Sequence, residues 1–260
     1  MKAVANNLKE KNIMVLRPVE QSEELCRKLV DAGGNVIRFP TLEIQPLDNV
    51  SAGAVDDLIA WSDVIIFISR NAVRVLAGML ENLQSSLENK TVYATGLGSE
   101  EEIRSIGVKH VISPGARSGS EALIQLTGLQ SESILGKKIL IVRGDAGRGL
   151  LKQELECRGA IVKYAEIYTR VIPDLAAERV KNIWQHESPD IIVFTSNQGL
   201  YNLIKMLPEI YHDQLFGADI VAMSKRIAEA ARKAGFNNKV EVSKLQTDQG
   251  LYDAVVNILE

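Results

Sequence analysis

The sequence predicts an α/β protein built from two related, doubly wound lobes with parallel sheets. Short apolar runs rich in β-branched residues alternate with amphipathic stretches, which gives the β-α-β-α order of a doubly wound sheet. The same series of segments occurs twice along the chain. An extended segment lies at the same place in each copy, and this third observation predicts how the lobes are connected.

Six apolar runs have the length and composition of buried parallel strands. They are residues 13–16, 64–68, 92–95, 139–142, 191–194 and 219–222. Helical patterns lie between them, as in residues 24–32, where Leu25, Leu29 and Val30 share one face. Gly33 follows as a stop signal, because glycine readily ends a helix.

The duplication is visible without gaps in the first β-α-β unit of each copy. The segment IMVLRPVEQSEELCRKLVDAGGNVI from Ile13 aligns with ILIVRGDAGRGLLKQELECRGAIVK from Ile139. Matched pairs at an offset of 126 residues are Arg17 and Arg143, Leu25 and Leu151, Leu29 and Leu155, Gly33 and Gly159, and Val36 and Val162. Farther on, VIIFISRNAV resembles IIVFTSNQGL at an offset of 127, and VYATG resembles IVAMS at 128. So small an increase in the offset between the two copies is typical of insertions confined to loops.

Two extended segments, residues 39–46 and 165–173, are predicted to be matched linkers. Their side chains alternate, and each ends near a proline, which favours extended backbone in the residue before it. If both linkers cross between lobes, the first β-α-β unit joins the last part of the chain. The residues alone leave the crossed and uncrossed arrangements open, and either one predicts five strands per lobe.

Composition excludes several classes of protein. The chain of 260 residues is 46% hydrophobic and 24% charged, which fits a globular protein. A net charge of -3 leaves no basic footprint for general nucleic-acid binding. No apolar run approaches a membrane span or a signal peptide, so a cytoplasmic location is expected. Cys26 and Cys157 have no paired spacing, and neither a disulfide nor a zinc site is expected.

Candidate ligand contacts follow the strands, because ligands of open parallel sheets bind beyond the carboxyl ends, where helices begin. The hydroxyls, glycines and cations at these places suit carboxylates or phosphates. The candidates are Arg17, Ser69, Arg70, Asn71, Gly96, Gly98, Ser99, Arg143, Gly144, Asp145, Thr195, Ser196, Asn197, Ser224 and Lys225.

Structural roles compete with ligand binding at many of these positions. Helix N-capping alone would explain Ser69, Asn71, Ser196 and Asn197. Capping boxes would explain Ser99 with Glu102 and Ser118 with Glu121. Arg17 and Arg143 recur at the ends of equivalent strands, where structural ion pairs would also account for them.

Familiar cofactor and catalytic motifs do not occur. Gly144, Gly147 and Gly149 follow a strand, but their spacing is not that of a dinucleotide-binding turn, and there is no P-loop. His110, His186 and His212 lack metal-ligand spacing. An enzyme with this sequence is therefore expected to work without cofactor, metal or covalent nucleophile.

Tyr168 breaks the duplication, because its counterpart in the first copy is Leu42. It lies in a segment expected to face the cleft between the lobes, where a phenol would donate a proton or a hydrogen bond to a leaving group. The alternative is an amphipathic tyrosine that packs at a domain interface.

The chain after about residue 12 resembles uroporphyrinogen-III synthase. The motifs that carry the resemblance are R-G-D-x-G-R from Arg143 to Arg148, Y-x-R at Tyr168 and Arg170, and F-T-S from Phe194 to Ser196. The first copy reads F-I-S, and the segment from Ala222 reads AMSKRIA where the family more often has a glycine-proline turn. These departures put the ligand contacts of Ser69 and Ser224 in doubt.

The resemblance implies the function and the lobe arrangement. It implies a cofactor-free enzyme of heme biosynthesis that closes linear hydroxymethylbilane, with loss of water and D-ring inversion through a spiro intermediate, in the interlobe cleft. Tyr168 would be the catalytic acid, and Arg148 would join the substrate-binding residues. The enzyme would be a monomer that contacts the enzyme supplying its substrate only transiently.

The implied lobes are flavodoxin-like and joined by a two-stranded linker. One lobe comprises residues 1–38 and 173–260, the other comprises residues 45–164, and the linker strands are residues 39–44 and 165–172. Two other functions stay open on the residues alone. One is a two-lobe protein that only binds an anionic small molecule, and the other is a nucleotide-dependent transferase.

Overall fold

The computed structural model describes residues 8–115, 117–147, 149–175 and 177–260. These residues form two compact units. Among the described residues, unit 1 contains residues 8–43 together with Val171–Glu260, and unit 2 is Ile44–Arg170. The chain therefore passes between the units twice, after Glu43 and after Arg170.

Each unit contains one five-stranded sheet. In chain order the strands are β1 (Asn12–Val15), β2 (Asn35–Arg38), β3 (Glu43–Pro46), β4 (Val64–Phe67), β5 (Thr91–Ala94), β6 (Lys138–Gly144), β7 (Ile161–Val171), β8 (Ile191–Phe194), β9 (Asp219–Ala222) and β10 (Val240–Val242). Each of the six apolar runs coincides with a strand, as predicted, and the runs 13–16, 64–68 and 92–95 extend one residue past the strand end.

The strand order is β10-β9-β8-β1-β2 in unit 1 and β3-β7-β6-β4-β5 in unit 2. Strand β1 pairs in parallel with both β2 and β8, so the first β-α-β unit shares a sheet with the last third of the chain. In unit 2, β6 lies between β4 and β7 and is parallel to both. The residues predicted as the second linker are mostly part of β7, which continues to Val171.

Thirteen α-helices connect the strands within the described residues. They are α1 (Val19–Asp31), α2 (Ala52–Trp61), α3 (Arg70–Met79), α4 (Leu83–Leu87), α5 (Leu97–Ser105), α6 (Ser120–Leu123), α7 (Ser131–Ile134), α8 (Leu150–Cys157), α9 (Ala177–Asn182), α10 (Asn197–Met206), α11 (His212–Gly217), α12 (Lys225–Ala234) and α13 (Asp248–Asn257). The predicted stop of the first helix is confirmed by Gly33, whose φ of 88° suits glycine.

Side chains of alternate strand residues pack against helices on both faces of each sheet, because successive side chains point to opposite faces. In unit 1, Met14 and Phe194 belong to the cluster that includes residues of α10 and α12, whereas Ile13 and Val193 pack with α1 and α13. Unit 2 repeats this arrangement with two further clusters. Each fully buried leucine or isoleucine contributes about 2 kcal/mol. The predicted doubly wound α/β fold is confirmed.

The two units differ in what pairs with the outer side of equivalent strands, which are β9 in unit 1 and β5 in unit 2. In unit 1, β9 pairs with the three-residue strand β10. In unit 2 the equivalent contact is an isolated bridge between Tyr93 and Ile112, and β3 supplies the fifth strand at the opposite edge. The predicted five strands per sheet are therefore present, but they are not equivalent in the two copies.

Glu100 in α5 is the carboxylate with the most evident electrostatic stabilisation. It accepts hydrogen bonds from the Ser113 hydroxyl and from Arg104, whose Nη2 lies 2.8 Å from Oε1. The Ser113 hydrogen bond, followed by that of Arg104, lowers the pKa of Glu100. Since the folded state favours the carboxylate, its contribution to stability is present at neutral pH and is lost as the pH falls through the lowered pKa.

Replacing Glu100 with glutamine is expected to lower the free energy of unfolding by about 1 kcal/mol at pH 7. The difference from the original protein should shrink at acid pH, where the carboxylate becomes protonated. Urea unfolding at several pH values measures this, with Glu101→Gln as the control at an exposed neighbouring carboxylate. A difference that is the same at pH 7 and pH 3 would contradict the assignment.

Candidate functional site

In unit 1 the candidate residues at the carboxyl ends of β1 and β8 line one concavity of about 270 Å³. Arg17 follows β1, and Thr195 and Ser196 follow β8. Since β1 and β8 are adjacent parallel strands, their ends lie at the same edge of the sheet. The structure thus brings together three residues that the sequence analysis selected separately.

Arg17 is engaged with the protein itself. Its guanidinium forms an ion pair with Asp248, the first residue of α13, and donates to the Gln21 carbonyl at 3.3 Å. Both ion-pair side chains are less than one fifth exposed. The structural ion pair that competed with substrate binding in the sequence analysis is therefore present, although no local pattern identified Asp248 as the partner.

Ser196 caps helix α10, because its hydroxyl accepts a hydrogen bond from the Gly199 N–H at 3.0 Å. Capping by Asn197 is wrong, since Asn197 is already the first residue of the helix. Its Oδ1 is buried without a hydrogen-bond partner among the described residues. Asn202 donates to the Thr41 carbonyl at 2.7 Å and ties α10 to the segment before β3.

Ser224 and Lys225 begin helix α12 after β9. Ser224 stands at the N-cap in extended conformation, but its side chain makes no capping hydrogen bond. Lys225 is exposed. The ends of β8 and β9 therefore present a hydroxyl, a cation and two helix N-termini within unit 1.

In unit 2, Arg70 and Gly96 line a concavity of about 370 Å³ at the carboxyl ends of β4 and β5. The guanidinium of Arg70 lies against Gly98, where a side chain would collide with it. A Cβ at Gly96 would lie 2.9 Å from the Cβ of Ser118. Small residues at the start of α5 thus leave room for the Arg70 side chain and for close approach of the neighbouring loop.

The capping boxes predicted in this region are wrong. Helix α5 is capped by Gly96, and Ser99 is a buried residue inside the helix. The cap of α6 is Gly119 rather than Ser118. Asn71 is the second residue of α3, so it is not a cap either. In each case the helix begins at a residue other than the one that the motif selected.

Arg143 is buried, with only 4% of its surface exposed. Its Nε donates to the Gly144 carbonyl at 3.0 Å and lies 3.6 Å from Glu166, while its guanidinium stacks on Tyr164 at 4.6 Å. The structural ion pair that the sequence allowed for Arg143 is therefore present, and its contact with substrate stays a prediction. Burial of a cation requires such partners, and the sequence did not identify Tyr164 as one of them.

Asp145 is exposed, and its N–H donates to the Tyr168 carbonyl at 2.9 Å. Arg148, predicted from the same turn, lies outside the described residues. Gly144 pairs with Tyr168 in the parallel ladder of β6 and β7. A Cβ on Gly144 would lie 2.7 Å from a carbon of the Tyr168 ring. The absence of a side chain on the central strand therefore allows the ring to lie across it.

Tyr168 reaches across β6 to the end of β4. Its hydroxyl lies 2.9 Å from Oγ of Ser69, the residue that directly precedes α3. Ser69 also caps α3, because its Oγ accepts from the Ala72 N–H at 3.1 Å. Tyr168 is 1% exposed, whereas Ser69 is half-buried. Both residues are candidates predicted from the sequence, but their contact follows only from the pairing of β6 with β4 and β7.

The described residues contain no group of three His, Cys, Asp or Glu side chains arranged to hold a metal ion. No helix among them is long and apolar enough to cross a membrane. Burial raises the pKa of the Cys26 thiol, which is the direction expected of a thiol in the core. The chemical groups at the strand ends are hydroxyls, amides, a few cations and helix N-termini.

Comparison with known proteins gives one family. A family model described as uroporphyrinogen-III synthase HemD matches residues 23–252. The uroporphyrinogen-III synthase of Escherichia coli K12 is 31% identical over 233 residues, which cover 87% of this chain and 93% of the relative. That of Proteus mirabilis is 31% identical over 178 residues, covering 67% of this chain and 88% of the relative.

Solved structures of the same enzyme share the fold. Uroporphyrinogen-III synthetase from Helicobacter pylori 26695 has a TM-score of 0.63 at 13% identity and covers 95% of this chain and 99% of its own. A mutant uroporphyrinogen III synthase from the extreme thermophile Thermus thermophilus has a TM-score of 0.58 at 15% identity and covers 96% and 98%. At these identities the likeness concerns the fold alone.

Proposed function

The chain belongs to the uroporphyrinogen-III synthase family, and we propose that it converts linear hydroxymethylbilane into uroporphyrinogen III. The reaction is a cyclisation with loss of water, in which the terminal D ring is inverted through a spiro intermediate. This makes the protein a cyclising hydro-lyase of tetrapyrrole and heme biosynthesis. No cofactor or metal enters the proposed reaction.

The observation that carries the proposal is the Tyr168 hydroxyl, held 2.9 Å from Ser69 at the carboxyl edge of the unit 2 sheet. The pyrrole nitrogen of the substrate can expel the hydroxyl group once that group is protonated. The protein must therefore provide a proton and hold the chain so that the correct ring carbon attacks. We assign the acid role to Tyr168.

The donors at the strand ends would bind the carboxylates of the substrate. Helices α3, α5, α10 and α12 begin there, and their N-terminal N–H groups favour anions. The proposed contacts are Arg70, Asn71, Gly96, Thr195, Ser196, Asn197, Ser224 and Lys225. Arg17 and Arg143 would act mainly by holding the strand ends in place, since each is paired within its unit. We also propose, from the sequence, that four further residues contact the substrate. They are Ser69, Gly144, Asp145 and Arg148.

The proposal includes the organisation of the molecule. Residues 39–44 and 165–172 would link a lobe of residues 1–38 and 173–260 to a lobe of residues 45–164. The enzyme would act in the cytoplasm as a monomer. Because its substrate closes spontaneously to the uninverted isomer, transient contact with the enzyme that makes hydroxymethylbilane would be advantageous.

The test is to incubate the protein with enzymatically generated hydroxymethylbilane, oxidise the products and separate isomers I and III. We expect isomer III to form in the presence of the protein, and less isomer I to form than without it. Isomer I alone, at the rate seen without the protein, would contradict the synthase function. Saturable binding of the substrate without isomer III would instead favour a protein that only binds it.

A further inference from the structure

The Ser69 hydroxyl occupies a position between two hydrogen-bonding groups. Its Oγ accepts from the Ala72 N–H at 3.1 Å and lies 2.9 Å from the Tyr168 hydroxyl oxygen. Ser69 has an extended backbone, with φ of -161° and ψ of 160°, which directs the side chain back over the start of α3. The hydroxyl is therefore held in place by the helix and is not a freely rotating surface group.

The donors and acceptors of Ser69, together with the acidity of the phenol, favour one direction for these bonds. A serine hydroxyl has one hydrogen to donate and two lone pairs to accept. One lone pair accepts from Ala72. Either hydroxyl could donate across the 2.9 Å that separates them; because a phenol is a stronger acid than an aliphatic alcohol, we take Tyr168 as the donor and the second lone pair of Ser69 as the acceptor. This arrangement leaves the Ser69 hydrogen available for a third group.

Burial distinguishes the two hydroxyls. Tyr168 is 1% exposed and belongs to the same buried hydrophobic cluster of unit 2 as Phe67, Val73 and Ile167. Ser69 is half-buried and closely follows strand β4. A substrate at the carboxyl edge of the sheet would therefore meet Ser69 before it could meet the phenol.

We infer that Ser69 and Tyr168 form a two-hydroxyl proton relay, in which Ser69 protonates the leaving group and Tyr168 reprotonates Ser69. The inference rests on the proposed function and assigns Ser69 a catalytic role in it. It replaces direct donation by Tyr168 with donation through Ser69. Both transfers are concerted, because a free serine alkoxide would be too basic to form as an intermediate.

The relay balances in atoms and electrons. The pyrrole nitrogen supplies an electron pair, the C–O bond of the hydroxymethyl group breaks, and the departing oxygen takes the Ser69 hydrogen to become water. Ser69 Oγ takes the Tyr168 hydrogen, which leaves a phenolate. The freed methylene bonds to the substituted α-carbon of the D ring, which gives the spiro intermediate, and the bond from that carbon to its original methylene bridge then breaks. This second methylene bonds to the other α-carbon of the D ring, which loses its hydrogen as a proton. This proton returns through Ser69 to the phenolate, and the site is restored.

Two features of unit 2 would stabilise the transient phenolate. The guanidinium carbon of Arg170 lies 5.9 Å from the centre of the Tyr168 ring. After the transfer, Ser69 can donate to the phenolate oxygen from the N-terminus of α3, where the helix dipole favours negative charge. The negative charge of the phenolate would therefore form beside Arg170 and Ser69, which already lie close to Tyr168.

The experiment compares two Ser69 variants, Tyr168→Phe and a double variant in single-turnover formation of isomer III. Ser69→Ala is expected to slow it about 100-fold, as the loss of a general acid does, with a much smaller effect, from the lost substrate contact, on the substrate concentration needed for half-saturation. Ser69→Thr keeps the hydroxyl and the cap and should retain most of the activity. The double variant Ser69→Ala/Tyr168→Phe should be no slower than the slower single variant, because the two residues act as one unit.

Ser51→Ala is the control for the lost helix cap. Ser51 caps α2, also a ten-residue helix of unit 2, by accepting from the Ala54 N–H at 3.2 Å. Its midpoint of urea unfolding should fall by less than that of Ser69→Ala, which loses the Tyr168 hydrogen bond as well as the cap, while formation of isomer III should be unchanged. Equal activity losses in the two variants would assign the effect to stability and overturn the relay.

A proton inventory distinguishes a relay from a structural role. Two protons moving together predict a curved dependence of the single-turnover rate on the D₂O fraction, and a linear dependence would overturn the inference. Failure of the proposed function is a separate outcome, because the unmodified protein would then form no isomer III. Formation of isomer III by the original protein with full activity of Ser69→Ala would refute only the relay.

Discussion

Replacing Gly144 with alanine is expected to destabilise unit 2 by about 3 kcal/mol and to remove most synthase activity. The new Cβ would lie 2.7 and 2.9 Å from two carbons of the Tyr168 ring and 3.0 Å from the Tyr168 carbonyl. The carbonyl belongs to β7, which is paired with β6, so neither strand can move without losing ladder hydrogen bonds. The ring must therefore tilt, and its hydroxyl would leave Ser69.

Urea unfolding and isomer analysis together test this expectation. Gly78→Ala is the matched control, because the residue is inside α3 of the same unit and, apart from its chain neighbours and the backbone of that helix, no atom lies within 4 Å of the added Cβ. It should be neutral or slightly stabilising. If alanine at Gly144 left stability and activity unchanged, the end of β6 would have to shift without any loss of stability, which would contradict this expectation.

A second-site change separates the steric effect from the chemical one. Leu42 occupies the equivalent place in the first copy, so Tyr168→Leu replaces the ring by a smaller side chain that a copy of this fold already accommodates. In the double variant Gly144→Ala/Tyr168→Leu, most of the lost stability should return without the activity. Recovery of both properties would contradict the need for the phenol.

The strands and the duplication were predictable because they depend on local patterns. Runs such as residues 64–68 and 191–194 are apolar throughout, and only strands covered on both faces tolerate that composition. The offset of 126 residues between the copies then defined equivalent elements. Edge strands such as β10 carry a weaker signal, because their half-exposed residues resemble those of loops.

Helix caps show how far a local motif determines where a helix begins. Ser69 and Ser196 cap their helices as the sequence predicts, because each closely follows a strand whose end is fixed by the sheet. Ser99 and Ser118 satisfy a capping box, but the caps are the nearby glycines Gly96 and Gly119. A local pattern does not reveal which of two neighbouring residues leaves the helical conformation.

The partners of the two strand-end arginines could not be predicted from spacing. Asp248 is far from Arg17 in sequence, and only the packing of α13 beside α1 brings them together. Glu166 and Tyr164 approach Arg143 because β7 pairs with β6. Long-range pairs of this kind depend on strand order, which the sequence left open between two arrangements.

The breaks in the duplication were the most informative sequence feature, and the structure adds a second break to the first. Tyr168 replaces Leu42, and at the same offset of 126 residues Gly144 replaces Pro18. In unit 2 these two changes are complementary, since the glycine provides the space that the tyrosine ring fills. The units therefore differ at the point where one of them holds a phenol beside a serine.

Replacing Tyr168 with phenylalanine is expected to slow formation of isomer III about 100-fold with little effect on substrate binding. The ring and its packing against Gly144 remain, and only the hydroxyl beside Ser69 is lost. Stability should fall by no more than about 1 kcal/mol, the usual contribution of one hydrogen bond. Because the substrate also closes spontaneously, isomer I should rise as isomer III falls.

Tyr93→Phe provides the control, because Tyr93 is another buried tyrosine of unit 2, 3% exposed, on strand β5. It should leave the isomer ratio unchanged. Full turnover in Tyr168→Phe would remove the acid role. A higher half-saturating substrate concentration with unchanged maximal rate would make Tyr168 a binding residue, since the hydroxyl would then contribute equally before and during the reaction. A slower maximal rate with unchanged binding is the result that proton delivery predicts, because the leaving group needs the proton after the substrate is bound, and the proton inventory then separates it from a structural role of the hydroxyl.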